Sequence, residues 1–134
     1  MFAAMLFTIS IVALSQFALY YWRAILAGVA AQPVSDRVLS AARVENGEVT
    51  GEHFQTFAGL HKLTPKLDAG SSGLGVVRCY FHVVDAISML AGQRIPAVAA
   101  WGRRETAICA RYVAVQIDRR LQANLEMAAA IRSC

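Results

Sequence analysis

No charged side chain occurs in the first 22 of the 134 residues, MFAAMLFTISIVALSQFALYYW, and Arg23 is the first to appear. That absence excludes an ordinary amphipathic surface helix at this end. An uninterrupted apolar stretch of about 20 residues is what one helical crossing of a bilayer's hydrocarbon core requires. A buried helix of a water-soluble domain would leave nearly 30 residues of apolar surface for roughly 100 others to cover, too much for so small a core. A cleaved secretory signal would put its small-residue site near Val29-Ala30-Ala31. Such signals carry a basic amino-terminal region and a shorter apolar core, and this chain has neither. Pilins also begin with a long apolar helix near a Phe, but their first turn carries an acid that is missing here.

Other absences bear on chemistry. Gly70-Ser71-Ser72-Gly73 has neither the preceding strand nor the Gly-Lys-Ser/Thr ending of a phosphate-binding loop. The turn around Asn46-Gly47 superficially resembles an EF-hand loop, with Phe54 after it. Its first, third and twelfth positions would be Ala42, Val44 and His53, none of which is a carboxylate for calcium. No Glu-x-x-His pair occurs, as a di-iron bundle would need. The three cysteines, Cys79, Cys109 and Cys134, have no ligand spacing around them. His82, Glu105 and Cys109 form no complete ligand set, and Cys109 as a nucleophile would need a lowered pKa that Arg111 or His82 would have to supply. No catalytic, cofactor-binding or metal-binding residue is therefore assigned, and no cofactor is expected.

What is present defines an all-α protein: a single transmembrane helix over residues 1–31, then a small helical domain over 32–134. Ser10, Ser15 and Gln16 interrupt the apolar run without charge. Tyr20, Tyr21, Trp22 and Arg23 fall where aromatic and cationic interface anchors belong. Ala24 to Ala31 continue the apolar pattern, so Leu26 and Val29 need a protein or lipid surface. Arg23, Arg37 and Arg43 follow the span, and the positive-inside tendency then places the domain in the cytoplasm of an inner or plasma membrane; a periplasmic or extracellular domain is the alternative. The net charge is +4, and from Arg94 onward seven arginines face Glu105, Asp118 and Glu126. Guanidinium suits headgroup phosphates or carboxylates on a partner, although a solvated helix face has the same composition.

Local signals divide the domain into two short helices, at 35–45 and 51–63, and two longer ones, at 74–91 and 96–132. Ser35-Asp36 supplies a cap and a first-turn acid. Asn46-Gly47 tolerates positive φ in a tight turn, and Thr50 caps the second helix, whose Phe54, Phe57 and Leu60 share a side. Residues 64–73 form a Gly- and Ser-rich loop. Arg78, His82 and Asp85 make the third of these helices too ionisable for a second span. Pro96 opens the last helix, and Gly102 is the place where a helix of some 55 Å would bend.

The short turn near residue 94 makes the last two helices an antiparallel hairpin, in which residues whose numbers add to about 188 share a height. Cys79 and Cys109 are such a pair. In an oxidising compartment they are a disulfide candidate worth about 3 kcal/mol for a loop of about 30 residues; in a reducing one they are small buried hydrophobes. Glu105 is expected to satisfy Arg78 or His82 in a buried polar contact. Ile117, Leu121, Leu125 and Ala128 form a seam at helical spacing, for other helices of the chain or for another subunit.

No family's motifs can be placed residue by residue. The expected function is a non-enzymatic, membrane-anchored accessory or assembly subunit. Its partners are the lipid bilayer and either a larger membrane protein complex or further copies of itself. The alternatives are a filament subunit whose first helix packs in a fibre core, and a tethered regulatory module contacting anionic lipid or nucleic acid. Nucleic acid is not expected in the leading reading.

Overall fold

Pro96, with its φ already fixed and no N–H to satisfy, opens a helix that runs for 38 residues, about 57 Å at 1.5 Å per residue. The remaining elements are arranged on it. The computed structural model describes residues 1–64 and 73–134. In chain order the elements are α1 (Phe2–Ala30), α2 (Asp36–Ala41), two 3-10 turns (Glu45–Gly47 and Gly51–His53), α3 (Phe54–Leu63), α4 (Leu74–Ala91) and α5 (Pro96–Ser133). The protein is all-helical, with no strand among the described residues. The loop expected at 64–73 lies, except for its two end residues, outside them.

α2 is shorter than the sequence pattern suggests. It stops at Ala41 because Arg43 adopts φ 54°, a left-handed conformation that cannot continue a right-handed helix. Asn46 and Gly47 follow at φ 60° and 70°, reversing the chain again. The second short helix is also divided, into the Gly51–His53 turn and then α3. There the Thr50 backbone N–H donates to Nδ1 of His53 at 3.2 Å, so that the side chain closes the turn on itself. Ser35 precedes α2 as a cap should, but its hydroxyl makes no capping bond and donates to Asp118 of α5.

α1, α2, α3, α4 and the Gly51–His53 turn all touch α5. Cys109, Ala110, Ile117 and the run from Tyr112 to Val115 are buried, which leaves the middle of that helix no solvent side. Leu26 at 1% exposure and Ala30 bring the last turns of α1 into the same core. That is the protein surface that the apolar residues after Arg23 require. Phe54 and Phe57 come from α3, and Phe54 stacks on Phe81 of α4 with ring centroids 3.9 Å apart. Gly102 lies inside continuous α5, where it lets α4 come close: a Cβ there would fall 1.6 Å from Oγ of Ser88. Close approach, more than bending, accounts for the glycine.

Beyond Asp118 the support thins. Arg119 donates to Oε1 of Gln32 at 2.8 Å, and Leu121 still packs against the core. From residue 122 onward every side chain except Asn124 is exposed. At the other pole residues 1–21 of α1 are exposed without exception.

Phe54→Ala removes a fully buried ring and leaves Phe81 without its stacking partner. It is expected to destabilise the domain by about 3–5 kcal/mol, measured by denaturant unfolding in mild detergent.

Candidate functional site

The charge that ends the apolar run of α1 is tied to the domain. Arg23 forms a salt bridge with Glu105 of α5, whose side chain is 4% exposed against 50% for that of Arg23. The second carboxylate oxygen accepts from the Tyr80 hydroxyl at 2.7 Å. A carboxylate this enclosed is expensive without compensation, and the two donors supply it. The result is a three-helix junction: α1 gives the cation, α4 the phenol and α5 the acid. Arg78 and His82, expected as partners of Glu105, take no part in it. His82 is exposed, its ring making a T-shaped contact with Phe81 at 5.8 Å between centroids. Sequence periodicity places Arg78 and His82 near the height of Glu105 but on the wrong azimuth of α4. Tyr80, between them in sequence, has the right one.

The cysteine pair comes out differently from the register argument as well. Cys109 is fully buried, Cys79 is exposed, and both are free, as is Cys134. Equal height on two helices does not make two Cβ atoms face each other, and a disulfide needs them about 3.8 Å apart. Burial first, and then the nearby negative charge of Glu105, push the Cys109 thiol up to about 12. It stays protonated at neutral pH, the opposite of what a nucleophile requires. Burial also raises the Tyr80 hydroxyl, and its bond to Glu105 adds to the shift.

Beside this junction α1 and α4 diverge and leave an apolar groove of about 830 Å³. Leu19 and Tyr20 line one wall, Val76, Val83 and Ile87 the other, with Trp101 between them. Of the four residues expected as interface anchors, Tyr20 and Tyr21 are exposed, Arg23 is bonded as described, and Trp22 is half-buried with its Nε1 enclosed and without an acceptor. A second cleft, of about 880 Å³, lies elsewhere along α4 and α5 and shares no residue with the first. Glu48, Glu52, Asp85, Arg103 and Arg104 give it charges of both signs. Among the described residues no group of three or more His, Cys, Asp or Glu side chains is placed to hold a metal ion.

The seam expected on α5 divides in two. Ile117 is buried and Leu121 partly buried in the chain's own core, whereas Leu125 and Ala128 are exposed. Met127 and Ile131 are exposed near them. α1 is long and apolar enough to cross a membrane and is a candidate span; α4 meets the same criteria of length and composition, although part of it is buried against the domain. No family model, curated protein or solved structure matches the chain.

Two measurements probe the junction. Arg23→Ala strands a buried carboxylate, while Glu105→Gln keeps an acceptor for Tyr80 and removes the charge; the first is expected to lower the thermal midpoint more, and adding Glu105→Gln to Arg23→Ala to recover part of the loss. For Cys109, the fold favours the neutral thiol. Its stabilisation is complete below the ordinary thiol value of 9.0 and is lost as pH rises from there toward 12. Thermal midpoints taken from pH 9 to 10 are expected to fall more steeply in the wild-type protein than in Cys109→Ala.

Proposed function

We propose that the protein is a non-enzymatic membrane-anchored accessory or assembly subunit. The amino-terminal part of α1 crosses an inner or plasma membrane once, and the helical hairpin domain lies on the cytoplasmic side. The domain docks on a larger membrane protein assembly or on further copies of itself. The observation that carries this reading is the pair of uncovered apolar surfaces at opposite poles of one domain. Phe2, Leu6, Phe7 and Leu14 of α1 are each more than half exposed, and so are Leu125 and Ile131 of α5. A helix surface of the first kind suits lipid, because no described residue of the chain covers it. An isolated helical extension of about 12 residues is marginal in water, so the second needs a neighbour to hold it.

A filament subunit is the second reading. A fibre core would cover the same α1 side chains, and the attachment of α1 to the domain through Arg23 suits a protruding head. It differs in where the protein is found: shearing intact cells releases a filament subunit into the medium and leaves an integral anchor in the membrane. A regulatory module on anionic lipid or nucleic acid would instead lose binding steeply as salt is raised.

Extraction in mild detergent followed by native mass measurement tests the proposal. The expected mass exceeds that of the 14.5 kDa chain by at least one further subunit. Leu125→Glu combined with Ile131→Glu returns it to a monomer without loss of helix content. A wild-type chain that is stable and unassociated overturns the assembly role.

A further inference from the structure

The groove between α1 and α4 has a graded lining. At the height of the junction it carries the half-exposed side chain of Arg23 and Tyr80, with Trp22, Val76 and Cys79 beside them. Toward the α4–α5 turn its walls are Leu19, Val83, Ile87 and Trp101, with Gln16 the uncharged exception. The α1 wall is the last two turns before Arg23, the part that carries the aromatic belt. Its surface continues without a break into the exposed residues 1–15. The α4 wall likewise runs on into Leu90, which is 82% exposed.

The α4–α5 contact at this end is built in an unusual sense. Small residues face inward: Ser88 lies against Gly102, and a Cβ on Gly92 would stand 3.3 Å from that of Ala99. The large apolar side chains, Ile87, Met89, Leu90 and Ile95, point outward. Water-soluble helix pairs bury their large residues and expose their small ones. Helices that pack within lipid do the reverse, because backbone proximity holds them together and acyl chains solvate the outside. The charged side of α4 is turned away, with Asp85 in the separate polar cleft.

We propose that acyl chains of bilayer phospholipid fill this groove, with the lipid phosphate level with Arg23, so that α4 lies along the hydrocarbon boundary as a second membrane contact. This rests on the reading of α1 as an anchor. The cationic side chain of Arg23 at one level, with the apolar wall of Leu19, Val83 and Ile87 leading away from it, follows the order of phosphate and acyl chain along a phospholipid.

Brominated acyl chains quench tryptophan by contact, and the two tryptophans, Trp22 and Trp101, make the test direct. The full chain is reconstituted in phosphatidylcholine vesicles with and without bromine on the chains. One variant, Trp22→Phe, keeps only Trp101 in the groove. The other, Phe7→Trp with Trp22→Phe and Trp101→Phe, reports on the anchor. The expected result is loss of emission from Trp101 by a factor comparable with that at position 7. Quenching at position 7 with none at Trp101 overturns the groove assignment, pointing to a protein helix or water there, and leaves the anchor standing. Quenching at neither removes both. A second readout needs no tryptophan change. A spin label on Cys79, which lines the groove and is exposed, in a Cys134→Ser chain should collide more with dissolved oxygen than with a water-soluble nickel chelate. The reverse order overturns the inference.

Discussion

Tyr112, Val113, Ala114 and Val115 are consecutive on a helix, and all four are buried. Because successive residues of an α-helix point about 100° apart, four buried in a row mean protein on every side. That constraint determines the rest of the molecule. α4 covers one side of α5, α3 and the Gly51–His53 turn another, and the end of α1 a third. Small residues at Ala110 and Ala114 let those neighbours come near, while Phe54, Phe57, Leu26 and Val77 fill the space between them. The same arrangement prevents α1 from being a tether that merely touches the domain. Leu26 and Ala30 are part of the core, so the end of α1 and the domain share one packed interior.

Much of this was legible from residue order, and the parts that were not share a cause. The absence of charge before Arg23, the Asn46-Gly47 reversal and Pro96 before a long periodic stretch are local signals, and local signals specify local structure. What joins residues 82 positions apart has no such signature: Arg23 reads as the charged edge of a membrane span, and its pairing with Glu105 depends on how two helices are rotated about their axes. The hairpin arithmetic gave heights and no azimuths, which is why Tyr80 replaces Arg78 and His82 beside Glu105. For the same reason Cys79 faces outward while Cys109 is buried. Glu105, a lone acid among apolar neighbours on the inward face of α5, does signal a donor from another element; its spacing leaves open which one, and Arg23 and Tyr80 fill the role.

Electrostatics and apolar burial divide the work at the junction between anchor and domain. Apolar contact through Leu26 and Val29 attaches α1 without choosing its rotation, since one side of an apolar helix is much like another. The Arg23–Glu105–Tyr80 contact chooses it, because only one rotation brings the guanidinium to the carboxylate. Farther along, Ser35 on Asp118 and Arg119 on Gln32 fasten the segment after α1 to α5 again. The net stability of a half-exposed ion pair is small. Its contribution is orientation, and the shape of the apolar groove follows from it.

α5 is unbroken from Pro96 to Ser133, and polar clamps near Glu105 and near Arg119 hold it to α1 and to the residues just after it. A rod fastened at two points transmits torque. A sideways load on α5 near Cys134 therefore acts on a stiff arm and tilts the apolar helix at the opposite pole with little bending in between. Leverage of that kind turns a contact made at one pole into a change of pitch at the other.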